Sequence, residues 1–124
     1  MRRLNPDEVA TLVASLLSDE LRWDKWRGHA NSAAGHCHTA SEVCHALLGA
    51  AWEPYMVPHE RSFHWFLRHR ETAEILDPTV AQFERLPSYE RGRPVRFGRR
   101  TSRASELLLW RVLESFGAGL RQEA

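Results

Sequence analysis

Cys37, His64 and Asp77 are the residues whose types and order could carry nucleophilic chemistry. A thiol is a useful nucleophile as the thiolate, and a helix amino end or a neighbouring imidazolium favours that form. Cys37 follows Gly35-His36 and precedes the polar His38-Thr39, where the pattern reads as a helix start. His64 would take the Cys37 proton, and Asp77 would fix the imidazole tautomer. The thiolate would then attack a carbonyl and form a thioester for water or an amine to resolve. Asn31, upstream of Cys37, is a candidate oxyanion donor beside the Cys37 amide. This chemistry calls for no cofactor.

A hairpin must bring His64 and Asp77 together. A turn at His69 to Thr72 sets Arg68 opposite Ala73, and in that register His64 stands directly opposite Asp77 on one face. Directly opposed Cβ atoms lie about 4.5–5.5 Å apart, close enough for a carboxylate to hold an imidazole nitrogen.

The elements that position these residues follow from local signals. Asn5-Pro6-Asp7-Glu8 is a helix start: Asn accepts from free N–H groups, Pro needs no donor there, and the acids complement the dipole. Val9, Leu12, Val13, Leu16 and Leu17 continue at helical spacing. A second helix opens at Cys37 and runs to Leu48, with Ala40, Cys44, Leu47 and Leu48 inward and Gly49 as its stop.

Short β-type runs come next, at Trp52 to Val57, Phe63 to Leu67 and Glu74 to Leu76, forming an antiparallel meander. Thr79 to Leu86 is expected as a short helix and Val95 to Phe97 as a last strand. Thr101 or Ser102 caps a closing helix bearing Leu107, Leu108, Val112 and Leu113. The fold class is therefore α+β, with N-terminal helices packed on a small antiparallel sheet and a C-terminal helix. At 124 residues, positions 1–124 suit one domain.

Three motifs in chain order resemble the transglutaminase-like branch of the papain-like cysteine protease superfamily: Gly35-His36-Cys37-His38-Thr39-Ala40, Phe63-His64-Trp65-Phe66 and Ile75-Leu76-Asp77-Pro78-Thr79. The resemblance spans Gly35 to Thr79 and is to a small phage or bacterial member. It implies a papain-like/transglutaminase-like core and a peptidase, amidase or transferase acting on a peptide or amide substrate. It also implies Cys37, His64 and Asp77 as the triad. The chain departs from the pattern in having no Trp directly beside Cys37.

Plainer readings of the same residues stand beside this one. A free Cys is commonly a small core hydrophobe, which suits Cys44 in mid-helix. His64 between two aromatics could be a satisfied core histidine, and Asp77-Pro78-Thr79 also fits a turn or cap. Seven histidines make His36, Cys37 and His38 rival metal ligands. Alternate positions diverge at a helix start, however, and no paired CxxC or HExxH spacing occurs, so no metal is assigned.

Net charge is +1, yet Arg85 to Arg103 holds seven arginines against Glu90 alone, six net positive, which leaves the rest of the chain at −5. Arg93, Arg96, Arg99 and Arg100 are the anion-binding candidates. They support an alternative function: a non-catalytic binding module of the same fold that reads an anionic ligand or nucleic acid. No apolar run is long enough for a membrane span. Cys37 and Cys44, about two helical turns and 10 Å apart, are too distant for a disulfide, which suits a reducing, cytoplasmic setting.

Overall fold

The computed structural model describes residues 4–22 and 35–123. Among them are three α-helices: α1 (Pro6–Ser15), α2 (Cys37–Leu48) and α3 (Arg103–Glu123). Four strands, β1 (Trp52–His59), β2 (Ser62–His69), β3 (Ile75–Leu76) and β4 (Arg93–Pro94), form one antiparallel sheet in the order β3-β2-β1-β4. The architecture is α+β. No helix among the described residues is long and apolar enough to cross a membrane.

Each helix starts where local chemistry provides for it, with one exception. Asn5 Oδ1 accepts from the N–H groups of Asp7 (2.9 Å) and Glu8 (3.2 Å), closing the amino end of α1. Ser102 does the same for α3, accepting from the Ser105 N–H at 3.1 Å. The exception is α2, whose N-cap His36 makes no side-chain cap bond and whose first turn holds no acid. At its other end Gly49, at φ 96°, takes the left-handed turn that stops the helix.

α2 is the centre of the molecule. Thr39 through Cys44 are all buried because α1, α3 and the sheet surround the helix. Val9, Val13, Leu21, Val43, Leu108 and Val112 pack with Trp52, Leu67 and Leu76 from one sheet face. Arg111 pins α3 to the end of α1, donating to Leu16 O (3.3 Å) and Ser18 Oγ (2.8 Å) and pairing with Glu20.

β1 and β2 pair along their full lengths, Trp52 with His69 through His59 with Ser62. The two residues left over, Glu60 (φ 45°) and Arg61 (φ 66°), both adopt left-handed backbone, as a two-residue hairpin turn demands. Pro54 turns its backbone toward β4, where its carbonyl accepts from Val95 N at 3.0 Å, and Pro58 shares that orientation by alternation. β4 pairs only with Tyr55 and Met56, so the missing proline donors face a thinly paired edge.

Three expectations need correction. The β2–β3 register is displaced by two: Arg68 faces Ile75 and Leu67 faces Leu76. The His69 ring accounts for this, since its Nδ1 accepts from the N–H groups of Glu71 (3.2 Å) and Thr72 (3.3 Å). The four-residue loop thereby shifts one position along the chain, to Arg70–Ala73, with Ala73 at φ 62°. The expected helix from Thr79 to Leu86 shrinks to one 3₁₀ turn, Val80–Gln82, because Phe83 is extended and directs its ring at His64. The last strand is Arg93–Pro94, and Phe97 instead turns its ring onto Trp65.

Candidate active site

His64 projects from the sheet face opposite the helical core, sharing that face with its partner Val57 and with Phe66. Phe66 is fully buried. With the register displaced by two, Asp77 is diagonal to His64 and lies one residue past the end of β3. Diagonal neighbours share a face, and His64 Nε2 meets Asp77 Oδ2 at 2.6 Å. Both side chains are buried, 3% and 4% exposed.

Asp77 is held from three directions. Its Oδ2 accepts from the Tyr89 hydroxyl at 2.7 Å as well as from His64, and its Oδ1 accepts from the Thr79 N–H at 3.2 Å. Burial raises the Tyr89 hydroxyl well above its ordinary value, and the bond to the Asp77 carboxylate and its charge add to the shift. Tyr89 therefore stays a donor. Gly92 lets the chain after Tyr89 close down on Phe66: a Cβ there would lie 2.7 Å from Phe66 Cζ and 2.9 Å from the Tyr89 carbonyl.

Because β3 pairs only with Leu67 and Arg68, β2 has no β3 neighbour alongside His64. The first turn of α2 meets the sheet there. Cys37 lies near enough to His64 to help hold its proton, and the next residue, His38, sets its ring edge-on to Trp65 at 4.6 Å. Consecutive strand residues point to opposite faces, so the helix end straddles the strand. Asp77 occupies Nε2, so Nδ1 is the ring nitrogen left over.

Burial alone would lower the His64 pKa. The hydrogen bonds to Asp77 and Cys37, followed by the charges of both, outweigh it and push the imidazole up to about 9. His64 thereby holds its proton more tightly than a free imidazole does. Phe83 caps it edge-on at 4.5 Å, and Phe66 stacks at 6.4 Å. Cys37 itself is only partly buried and can be approached from solvent.

The two neighbouring candidates behave differently. Cys44 is fully buried and its thiol is pushed up to about 12 by that burial. His36 is lowered to about 4 by burial and then by Arg22, against the opposing pull of Asp19. Its Nε2 accepts from Arg22 Nε at 3.1 Å, leaving Nδ1 as the protonated nitrogen, buried without a partner. His36 is thus neutral and no proton donor to the site at neutral pH. Among the described residues no three His, Cys, Asp or Glu side chains are grouped to hold a metal ion.

Of the other sequence candidates, Asn31 lies outside the described residues. Arg93, Arg96, Arg99 and Arg100 are all exposed. The functional contact that sequence reasoning misses is Tyr89: its approach to Asp77 is made by an irregular segment with no periodicity to read. Compared with family models, curated proteins and solved structures, the chain matches none.

Proposed function

We propose that the chain is a cysteine-dependent acyl-transfer enzyme, a peptidase, amidase or transglutaminase-like transferase of papain-like type, working through Cys37, His64 and Asp77. The observation that carries this reading is the buried His64–Asp77 contact at 2.6 Å, with Cys37 near enough to help hold the proton on that imidazole. A buried histidine that served packing alone would be held neutral. This one is held protonated beside a thiol at an uncapped helix end.

In this mechanism the proton already resides on His64, and Cys37 attacks a substrate carbonyl as the thiolate. The carbonyl oxygen becomes an oxyanion facing the free N–H groups of the first turn of α2. His64 then donates its proton to the departing amine nitrogen as the C–N bond breaks, leaving a thioester on Cys37. Water or an incoming amine gives a proton back to His64 and attacks the thioester, releasing the acyl product and restoring the thiolate. Asp77 holds the imidazole in place throughout. The two free thiols suit a reducing, cytoplasmic setting.

The test is selective labelling. Iodoacetamide should alkylate Cys37 well ahead of Cys44, read by peptide mass spectrometry, and His64→Ala should suppress the Cys37 reaction at neutral pH. Equal labelling of both thiols in the folded protein would sink the reading.

A further inference from the structure

The segment from Tyr89 to Phe97 is fastened to the site at both ends. Tyr89 donates to Asp77 at 2.7 Å, and Gly92 lies against Phe66. Arg93 and Pro94 pair with Met56 and Tyr55. Phe97 stacks on Trp65 with centroids 5.5 Å apart and planes 15° from parallel, and its ring lies 5.5 Å from His38. Trp65 and His38 are the chain neighbours of His64 and Cys37. The segment therefore runs from the Asp77 side of the site to the Cys37 side.

Arg91, Arg93, Arg96, Arg99 and Arg100 lie on or just beyond this segment, all exposed. None of them forms an ion pair among the described residues, whereas Arg22, Arg70 and Arg111 do. A cleft of about 700 Å³ opens between α2 and the segment, with Arg96 and Phe97 on its wall. The acids lining it are Glu42 and Glu53. Glu42 already accepts from the Ser102 N–H at 3.4 Å, and Glu53 faces Arg70 at 3.9 Å. Of the charged side chains lining the cleft, Arg96 is the one without such a partner among the described residues.

Resting on the acyl-transfer reading of Cys37, we propose that this arc of arginines selects an acidic peptide as the substrate. A peptide is favoured over nucleic acid because the rings of the segment face inward: Tyr89 is held on Asp77 and Phe66, and Phe97 on Trp65 and His38. Neither is available as a stacking platform for bases. Carboxylates need no such platform, and unpaired guanidiniums bind them bidentately.

The experiment titrates the intact chain with a fluorescein-labelled glutamate-rich peptide and its glutamine counterpart, read by anisotropy. The glutamate peptide should bind at least about tenfold tighter at low salt, with the preference shrinking as salt rises. It should also slow iodoacetamide labelling of Cys37, which the glutamine peptide should not. The combined variant Arg93→Gln/Arg96→Gln/Arg99→Gln/Arg100→Gln should erase the preference. The pair Arg99→Gln/Arg100→Gln should reduce it, providing a second variant if the combined one folds poorly.

Equal affinity for the two peptides would overturn the inference, as would a preference that survives in the folded combined variant or an absence of protection at Cys37. Tighter binding of a single-stranded oligonucleotide than of the glutamate peptide would overturn it in favour of nucleic acid. Binding is read without turnover, so the two proposals fail separately. Selective Cys37 labelling without peptide preference removes only this inference, and equal labelling of both thiols removes the acyl-transfer reading beneath it.

Discussion

His64 and Asp77 meet at 2.6 Å although the strand leading to Asp77 has already ended at Leu76. The contact is diagonal across the sheet and depends on Tyr89 and the Thr79 amide to aim the carboxylate. This makes the carboxylate the dominant influence holding a proton on His64 against its burial.

Replacing that carboxylate should release the proton. In Asp77→Asn the His64 pKa is expected to fall from about 9 toward or below the ordinary 6.5, since burial then meets less opposition. NMR titration of the His64 Cε1–H resonance reads this directly. A value still near 9 in the variant would remove Asp77 as the cause.

The same raised pKa predicts how stability depends on pH. Folding raises the His64 pKa from 6.5 to about 9, so the stability it contributes is fully present below pH 6.5 and is lost as pH rises through about 9. Urea unfolding should therefore show stability declining across that interval. His64→Gln should flatten the decline, and an equally steep decline in the variant would assign it to other groups.

Tyr89→Phe removes a neutral donor to a buried carboxylate. Hydrogen bonds to charged groups contribute about 1.5–3 kcal/mol, so unfolding free energy should fall by that order. Because the ring still packs on Phe66 at 5.0 Å, the fold should survive, as circular dichroism can verify. A loss under about 0.5 kcal/mol would mean that water replaces the hydroxyl without cost.

The β1–β2 turn offers a gain instead. Glu60 and Arg61 hold left-handed backbone that Asn and Gly adopt more readily. Glu60→Asn/Arg61→Gly should raise stability by about 0.5–2 kcal/mol, measured as a higher melting temperature with unchanged Cys37 labelling. A lower melting temperature would show that the His59–Glu60 contact at 3.7 Å matters more than backbone strain.

The helices are legible in the sequence because their ends are marked locally: Asn5-Pro6 opens α1, Gly49 stops α2, and Ser102 caps α3. The shared face of His64 and Asp77 is legible too, because a displacement of two residues preserves strand alternation. The displacement itself is not, since a histidine ring accepting turn amides leaves no periodic trace. Segment 77–92 is least legible. Phe83, Tyr89 and Gly92 find their places through contacts with β2 residues distant in sequence, and nothing in their own neighbourhood encodes those partners.

Cys37 and Cys44 share one helix, about 10 Å apart along its axis, with the second thiol sealed in the core. An oxidised Cys37 consequently has no resolving thiol within reach among the described residues. A sulfenic acid formed there must be rescued by a small-molecule thiol or a reductase from outside, or advance to irreversible oxidation. Exposure of this chain to peroxide would then be recorded on Cys37 as a mixed disulfide where a small thiol is present and as a higher oxide where none is, not as an internal bridge to Cys44.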